Sequence, residues 1–523
     1  VSGSACSDGN FSLGRERNGS NHAPDRLKLL VGEAGMYRVT ASELSSAGID
    51  LGAGLAYENV KLSTGQAAVP FLLKDDALIF YGQPANDRYY AERPYMLETG
   101  QTGQPMRQSD ARPTGDQILG HVRQTLLLEE DHLYVPESRQ ENSDVWFWSK
   151  LSQQDSFTTA FSLPHIAEGR STLRFNVWGF SQNPDLENDH DFEVLVNDIP
   201  VGTAVFDGQR HFTGEMELPA AALKPGENTI TLDNQKPGAA LLDIIHVNWL
   251  DLQFSAPPRA VNDRLEFNTN AGTLILEGFS DSPVVLDVSD PAQPVSLAGW
   301  PYENGQVELA AAAGQTITAA GPSGFLAPRL EAVQASSWLD RSRQADLIIV
   351  TTPDLAPALA PLVAAREAEG LSVAVVPVDE IYDEIGHGAP TPESIREFVT
   401  YAVQNWQRPQ PRYLLLVGDA TSDYLGRLGD LPPNIVPSPM VPVQISGETV
   451  SDSRLVDVDH DIRPDLAVGR WPVRTAQEAA NLVQRTLAYE ARPAGSGAFF
   501  ATDGSEGSFK RIASHIIDQG QLK

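Results

Sequence analysis

The sequence predicts a multidomain protein in which mixed and β-sandwich domains precede an α/β domain with a mainly parallel sheet. Three observations support this prediction. The length of 523 residues exceeds what one hydrophobic core usually supports. Short alternating apolar runs separated by turn residues fill the middle of the chain, as is typical of antiparallel sheets. From residue 345 onward, strands that are apolar on both faces alternate with amphipathic helices, which indicates a parallel sheet covered on both sides.

Composition and charge narrow the classes of function. Hydrophobic residues make up 41% of the chain and charged residues 20%, as in folded soluble proteins. The chain carries 69 acidic and 38 basic side chains, for a formal net charge of -31. This charge would repel a polyanion, so we expect no nucleic-acid partner. The same carboxylates can supply oxygen ligands to a hard cation such as calcium.

Cysteine content and hydropathy give further limits. Cys6 is the only cysteine, so these residues can form no internal disulfide and no thiolate metal cluster. No run of about 18 apolar residues is present that could span a bilayer. Because strongly acidic chains are common among exported proteins, we expect a secreted or cell-surface bacterial protein.

The chain divides into five predicted segments. Thr40 or Ser42 is expected to cap a short helix that ends at Gly48 in the second segment. The segments are an extended arm (1–26), a mixed α/β domain (27–143), a jelly-roll-like β-sandwich (144–256), a small β-rich domain (257–337) and the first part of an α/β domain that is incomplete at the C-terminus (338–523).

Four tryptophans fall on or beside strands of the predicted sandwich, namely Trp146, Trp148, Trp178 and Trp249. Exposed together, they could form a platform for sugars. On strands of this kind, however, tryptophans usually lie in the core, and we interpret these four in that way. A jelly-roll-like fold does not by itself indicate sugar binding.

Motifs in the last segment resemble those of the gingipain-like C25 family of cysteine peptidases. The most specific of them lie between Ala345 and Glu490, and in chain order they read DLIIVTTPDL, AREAEGL, PTPESIREFVTYAVQNW, RYLLLVGDATSDY, DLAVGRWPV and LAYE. Earlier stretches resemble the N-terminal parts of large, sortase-like members that carry N-terminal β domains. These stretches are GEAGMYRVTASELSSAGI, LIFYGQ and VVLDVSDPAQPV.

The resemblance implies a caspase-like α/β domain that hydrolyses peptide bonds with a cysteine thiolate and a histidine. Backbone N–H groups would hold the oxyanion. In this family the histidine lies in a Gly-His-Gly turn and the cysteine follows it, and both positions are expected downstream of this chain. The expected partners are a protein or peptide substrate and a second polypeptide that completes the catalytic domain.

Two sites have the same residue types as the family's catalytic histidine turn and cysteine, but they lie at different positions in the sequence. Gly386-His387-Gly388 lies between the second strand and the second helix of the α/β domain, ahead of the family's catalytic histidine. We interpret it as a loop turn, because glycine supplies positive φ. Cys6 lies in the N-terminal arm, where no base or oxyanion site is indicated, so we interpret it as an inert or intermolecular thiol.

An acidic loop, DVDHDIRPD, precedes the strand LAVGR. It places carboxylates at Asp457, Asp459, Asp461 and Asp465. Calcium requires about six to eight oxygen ligands, and closely spaced carboxylates and carbonyls can provide them. The loop lacks the glycine that an EF-hand has at its sixth position, where Ile462 stands. The alternative interpretation is a solvated acidic turn.

The resemblance also implies where calcium would bind. Carried over by position, the ligands are the side chains of Asp419, Asp461 and Asp465 and the main-chain carbonyls of Val458 and Arg463. This set requires Asp419, at the end of the strand LLLVGD, to neighbour the acidic loop in the parallel sheet. Asp457 and Asp459 could join the site or only add negative potential.

Asp503 lies near the end of the stretch AFFATDG and corresponds, by the resemblance, to an acidic residue that supports the catalytic histidine. A carboxylate at the carboxyl end of a parallel strand faces the crevice where ligands bind. The alternative is a capping aspartate at the start of the following helix.

Three functions remain open from the sequence. The first is the N-terminal portion of a secreted C25-type cysteine endopeptidase. The second is a non-catalytic cell-surface binding or structural protein that uses the β-sandwich. The third is a sortase-like transpeptidase for exported cargo. A Gly-His-Gly turn followed by a cysteine beyond Lys523 would favour the first.

Overall fold

The computed structural model confirms the predicted order of mixed, β-sandwich and parallel α/β parts. None of the helices in the described part of the chain is long and apolar enough to cross a membrane. The structure describes residues 25–52, 54–113, 115, 117–137, 144–234, 242–333, 336–429, 433–443, 447–492 and 507–519.

Apart from the short helix α1, the described secondary-structure elements before the α/β unit are all strands. Its elements are β1 (Arg26–Val31), β2 (Gly35–Thr40), α1 (Ala41–Ser46), β3 (Val60–Thr64), β4 (Ala67–Ala68), β5 (Phe71–Lys74), β6 (Ala77–Gly82), β7 (Arg93–Thr99), β8 (Arg107–Asp110), β9 (Ile118–Leu119), β10 (Val122–Glu129), β11 (Leu133–Tyr134), β12 (Trp146–Phe147), β13 (Ser149–Ser152), β14 (Ser156–Leu163), β15 (Ser171–Gly179), β16 (His190–Val196), β17 (Ile199–Phe206), β18 (His211–Leu218), β19 (Gly226–Asp233), β20 (Ile244–Ala256), β21 (Arg264–Asn268), β22 (Gly272–Glu277), β23 (Val284–Asp287), β24 (Val295–Ala298), β25 (Tyr302–Glu303), β26 (Gln306–Ala311), β27 (Thr316–Ala320) and β28 (Arg329–Ala332).

Strands and helices alternate in the remaining part. Its elements are β29 (Leu347–Thr351), a 3-10 helix (Ala356–Leu359), α2 (Ala360–Ala368), β30 (Val373–Pro377), α3 (Val378–Glu384), α4 (Pro392–Asn405), β31 (Tyr413–Val417), β32 (Met440–Val443), β33 (Gly447–Val450), a second 3-10 helix (Asp452–Val456), β34 (Ala467–Trp471), α5 (Ala476–Glu490) and α6 (Gly507–Gln519).

The first unit has a core between two antiparallel sheets, with strand orders β28-β1-β7-β3-β4 and β2-β6-β5. The strand β28 returns to this unit from the end of the β-rich part and pairs with β1. Of the two predicted caps of α1, Thr40 is the one observed. Its side chain accepts from the Glu43 N–H, and the Glu43 carboxylate accepts from the Thr40 N–H. This reciprocal pair satisfies two donors at the start of the helix.

The second unit is a two-layer sandwich. One layer is the sheet β14-β19-β16-β17, and the other is the β18-β15-β20-β10 part of a larger sheet. Alternate residues of β15, such as Phe175 and Val177, point into the core between the layers. The larger sheet continues from β10 into β21, β27, β23, β24 and β8, so the sandwich shares a sheet with the small β-rich unit.

The predicted burial of the sandwich tryptophans is only partly matched. Trp146 and Trp178 are buried, and Trp148 packs against the core. Trp249 is half-buried, and the guanidinium of Arg174 lies over its ring at 5.8 Å from the centroid. The four rings therefore do not form one exposed platform.

Buried rings cover the outer face of the larger sheet. Trp178 stacks on His246 with ring centroids 5.6 Å apart. Phe147 lies 5.5 Å from His246 and 6.0 Å from His211. Burial lowers the pKa of both imidazoles, to about 4 for His246, because the charged form loses its hydration.

The last unit contains a parallel sheet with strand order β30-β29-β31-β34. Helices cover both of its faces. On one face Ile348 packs with Phe398 of α4, and on the other Ile349 packs with Leu362 of α2. Both faces are thus buried, which explains why the run LIIVT has no polar alternation.

Local signals explain where two of the helices on this sheet begin. Before α4, the hydroxyl of Thr391 accepts the Ser394 N–H, and Pro392 occupies the first turn. Before α5, Thr475 and Glu478 form a capping box. The sequences TPES and TAQE therefore predict where α4 and α5 begin.

The hairpin β32–β33 is attached to the N-terminal part by ion pairs. Arg88 donates to both carboxylate oxygens of Glu448, at 2.6 and 2.7 Å, and Tyr134 donates to the same group at 3.3 Å. The side chain of Glu448 is only 6% exposed. Nearby, Arg427 lies 2.5 Å from Asp131. Two-pronged arginine–carboxylate pairs of this kind fix geometry as well as charge.

Replacing Arg88 with methionine should destabilise the protein by about 3 kcal/mol, because Glu448 would remain buried without its partner. The double variant R88M/E448L should recover most of this loss, since it buries no unpaired charge. Urea unfolding measures both. R329M is the matched control, because the Arg329–Glu92 pair is more exposed, and it should cost less than about 1 kcal/mol. Equal losses in the single and double variants would contradict a desolvated pair.

Acidification should destabilise the protein in part through His246. Its folded pKa of about 4 lies below the unfolded value near 6.5, so the unfolded chain binds a proton first as the pH falls. The stability is complete above about pH 6.5 and decreases towards pH 4, with a loss of about 2 kcal/mol by pH 5. H246Q should show a correspondingly smaller difference between urea unfolding at pH 7 and at pH 5. H121Q, at an exposed position, should behave like the unaltered chain. A full loss in H246Q would refute the assignment.

Candidate functional site

The carboxyl ends of β29, β31 and β34 meet at one edge of the parallel sheet. The strand β29 has β30 on one side and β31 on the other, so the connections leave it in opposite directions. In open α/β sheets, ligands bind in the crevice at such a switch point. Thr351 ends β29 there, and Asp419 follows β31.

Asp419 is paired with a cation at this edge. The Arg474 Nε donates to Asp419 Oδ2 at 2.7 Å, and Asp419 Oδ1 accepts the N–H of Ala420. The Asp419 N–H also donates to the carbonyl of Val473. Side-chain exposure is 22% for Asp419 and 50% for Arg474. The carboxylate is therefore held by a guanidinium at the rim of the crevice.

The loop that follows β31 is anchored by Arg470 of β34. Its guanidinium donates to the carbonyls of Gly418 at 2.8 Å and Val436 at 2.6 Å. It also donates to both carboxylate oxygens of Asp452, at 2.7 and 2.8 Å. A guanidinium has five N–H donors in a fixed plane, so one side chain joins the strand, the loop and the second 3-10 helix.

Arg470 lies in the motif DLAVGRWPV, but its role was not predicted from the sequence. The available signal was an arginine inside a strand whose neighbours are largely apolar. Such a residue needs several acceptors, because a buried guanidinium is expensive to leave unpaired.

Three carboxylates of the acidic loop converge. Asp457, Asp459 and Asp465 each offer one oxygen, and these oxygens lie within 4.8 Å of one another. Asp465 Oδ2 accepts the Val458 N–H at 2.8 Å, and Asp457 Oδ2 accepts the Ile462 N–H at 3.2 Å. Asp457 is 1% exposed, and nothing in the described part of the chain donates to its buried Oδ1.

The donor set of this group suits a hard cation. Its side-chain ligand atoms are all carboxylate oxygens, which calcium prefers to nitrogen or sulfur. His460 belongs to the same loop, but its Nδ1 lies 3.1 Å from Arg396. A buried carboxylate oxygen without a donor is costly, and a cation would remove that cost. The residues present therefore fit calcium.

Asp419 does not belong to this group, and the expectation that it shares an ion with the loop is wrong. In the parallel pair of β31 and β34, Tyr413 lies opposite Ala467 and Val417 opposite Trp471. Asp465 precedes β34 and Asp419 follows β31, so the two flank opposite ends of the sheet. The intervening strand spans about 13 Å, whereas ligands to one calcium ion lie within about 2.6 Å of it.

The other predicted ligands lie in or beside the acidic loop. Asp461 Oδ1 accepts the Arg463 N–H at 2.8 Å, and Asp461 is not one of the three converging carboxylates. Val458 is buried next to Asp465, while Arg463 is exposed. The structure thus brings Asp465 together with Asp457 and Asp459, which were not in the ligand set implied by the resemblance.

The other residues considered in the sequence analysis are Asp503, Cys6 and the turn at His387. Asp503 and Cys6 lie outside the described residues. The stretch from Gly386 to Gly388 is a turn between α3 and α4, with positive φ at His387 and Gly388. It packs against the first unit, where a Cβ on Gly388 would lie 2.8 Å from Pro94.

Comparisons with known proteins agree with the fold. The crystal structure of dimeric latent PorU from Porphyromonas gingivalis aligns with 90% of this chain and 50% of that chain, at 18% identity and a TM-score of 0.66. This chain therefore spans about half the length of that protein. At this identity the likeness shows the fold alone.

Two further solved structures match only parts of the chain. One, titled "Structure of Protease", aligns with 28% of each chain at 23% identity and a TM-score of 0.22. The other is a family 35 carbohydrate binding module from an environmental isolate, which covers 25% of this chain and 96% of that chain at 15% identity and a TM-score of 0.18. Both scores are too low to support an inference.

No curated protein matches the chain. The family model of peptidase family C25 matches residues 340–520, which contain the parallel sheet and the acidic loop. This match agrees with the motifs quoted above and with the fold shared with PorU. Residues 340–520 therefore belong to peptidase family C25.

Proposed function

We propose that this chain is the N-terminal portion of a secreted cysteine endopeptidase of the C25 type. The observation that carries the proposal is the parallel sheet β30-β29-β31-β34 inside the matched family segment. In open sheets of this kind, ligands bind at the carboxyl edge. In such an enzyme a thiolate attacks the peptide carbonyl and an imidazole transfers the proton to the leaving amine. The substrate is a protein or peptide.

In this enzyme the catalytic cysteine and histidine would lie beyond Lys523. The only cysteine in the sequence is Cys6, which lies outside the described residues, and the turn at His387 packs against the first unit and lies before α4. The contribution of the described residues is to shape the rim of the crevice. Arg470 anchors the loop after β31. The Asp419–Arg474 pair joins the segments that follow β31 and β34.

We further propose that Asp457, Asp459 and Asp465 hold a structural calcium ion, together with main-chain carbonyls of the same loop. The support is the convergence of three carboxylates and the buried Oδ1 of Asp457, which lacks a donor among the described residues. Val456 and Val458 flank Asp457 and belong to the core beneath α4. A bound ion would therefore stabilise the packing of this loop on the core.

The complete product of the gene should hydrolyse an unfolded protein such as casein, and iodoacetamide should abolish that activity because it alkylates the thiolate. C6S in the complete protein should retain full activity, since Cys6 is not assigned to catalysis. The release of acid-soluble peptides measures the rate. Activity that survives alkylation would refute cysteine chemistry, and an inactive C6S variant would refute the placement of the nucleophile.

Excess EGTA should lower the unfolding temperature of the chain, because calcium bound to the native state stabilises it by about 2.7 kcal/mol at a concentration of 100 times the Kd. D457N should abolish the difference between calcium and EGTA in thermal unfolding. D461N should retain it, since Asp461 lies outside the converging group.

An unchanged melting curve of the unaltered chain in EGTA would refute the calcium site. Loss of the calcium effect in D461N with its retention in D457N would instead support the ligand set implied by the family resemblance.

A further inference from the structure

A cavity of about 400 Å³ lies where three parts of the chain meet. The first unit contributes β4, β7 and the segment before β7. The small β-rich unit contributes residues 291–293, and the C25 domain contributes the turn at Gly386 and His387. Asp419, Arg470 and Arg474, which lie at the carboxyl edge of the parallel sheet, do not line this cavity.

The wall of this cavity is rich in hydrogen-bond donors. Its polar side chains comprise one arginine, one histidine, three tyrosines, two glutamines and one threonine. None of the described residues that line it is an aspartate or a glutamate. This is unusual in a chain with 69 acidic and 38 basic residues. The described lining therefore carries one fixed positive charge and no carboxylate, although the chain as a whole is strongly acidic.

Arg93 supplies the positive charge. Its Nε donates to the carbonyl of Pro84 at 2.9 Å, which holds the side chain in place. Among the described residues, no acceptor binds its two terminal nitrogens and no carboxylate forms an ion pair with it. Asp87 is near enough to feel the charge of Arg93, but the two groups form no ion pair. The outer edge of the guanidinium thus remains available.

Two further donors lie on the same wall. Within the described part of the chain, the hydroxyl of Tyr90 and the imidazole of His387 have no hydrogen-bond partner. Burial raises the pKa of the Tyr90 phenol, so the hydroxyl keeps its proton at neutral pH. His387 has φ of +51°, a strained conformation that places it in the turn facing the first unit.

We propose that this cavity binds a small organic carboxylate, with Arg93 as the charged anchor and with Tyr90 and His387 as additional donors. The planar guanidinium matches the two oxygens of a carboxylate. The volume lies within the range of about 300–1,000 Å³ that is typical of ligand sites. Small apolar side chains would contact the body of the ligand, namely those of Ala67, Ala68, Val69, Pro94, Pro291 and Ala292.

A free N-blocked amino acid and the C-terminal end of a short peptide present the same carboxylate. Either ligand would contact the first unit through Arg93 and the C25 domain through His387. Because the ligand would bind only when these units are docked, it would stabilise their association.

Isothermal titration calorimetry on the 523-residue chain tests this inference. The probes are N-acetylalanine, trialanine, their C-terminal amides and inorganic phosphate. Saturable binding is expected for the probes with a free carboxylate and not for the amides. Tighter binding of trialanine than of N-acetylalanine identifies a peptide end as the better ligand, whereas the reverse order identifies a single amino acid.

Variants locate the site. R93Q should weaken binding at least about tenfold, as expected for the loss of a charge-assisted pair. Y90F should weaken it a few-fold while removing only one hydroxyl, and urea unfolding verifies that each variant is folded. R123Q is the control, because Arg123 is an exposed arginine on β10 that does not line the cavity, and it should bind normally.

Some outcomes would overturn the inference. These are the absence of saturable binding at millimolar carboxylate, equal binding of acids and amides, binding of phosphate alone, or unchanged affinity in folded R93Q and Y90F. The last result would place the ligand elsewhere on the chain.

Discussion

The geometry of the sheet edge depends on the hydrogen bonds of one partly buried guanidinium, that of Arg470. Arginine keeps its charge under all ordinary conditions, so its burial is tolerable only where several oxygens surround it. The carbonyls of Gly418 and Val436 and the carboxylate of Asp452 provide them. These acceptors belong to three segments that lie between 18 and 52 residues before Arg470. Their hydrogen bonds to one cation therefore fix the path of the loop over the carboxyl edge.

The N-terminal units also hold this region through ion pairs. Arg88 binds Glu448 of the hairpin β32–β33, and Asp131 binds Arg427. The rim of the crevice is therefore fixed by the C25 domain and by the strand-rich units together. The cavity at Arg93 and His387 lies at a second contact between the same units. The shapes of the carboxyl edge and of the cavity therefore both depend on how the units dock.

The two ends of the parallel sheet have different chemistry. At the carboxyl end, carboxylates are neutralised by guanidinium groups, as in the pair of Asp419 with Arg474. At the amino end of β34, three carboxylates converge, and among the described residues the basic group that forms an ion pair with them is Arg454, at 3.8 Å from Asp457 Oδ2. The first arrangement is complete within the chain. The second is what a structural cation would complete.

Several features follow from the sequence alone because they depend on neighbouring residues. The continuous apolar run LIIVT requires a strand covered on both faces, and Thr40 with Glu43 requires only one helical turn. Tertiary structure decided the rest. The distance between Asp419 and Asp465 depends on which ends of β31 and β34 they flank, and the burial of Asp457 depends on the core beneath α4. The cavity at Arg93 and His387 joins residues from three units, so no local pattern could indicate it: contacts between distant segments arise only once the strands have paired and the units have packed.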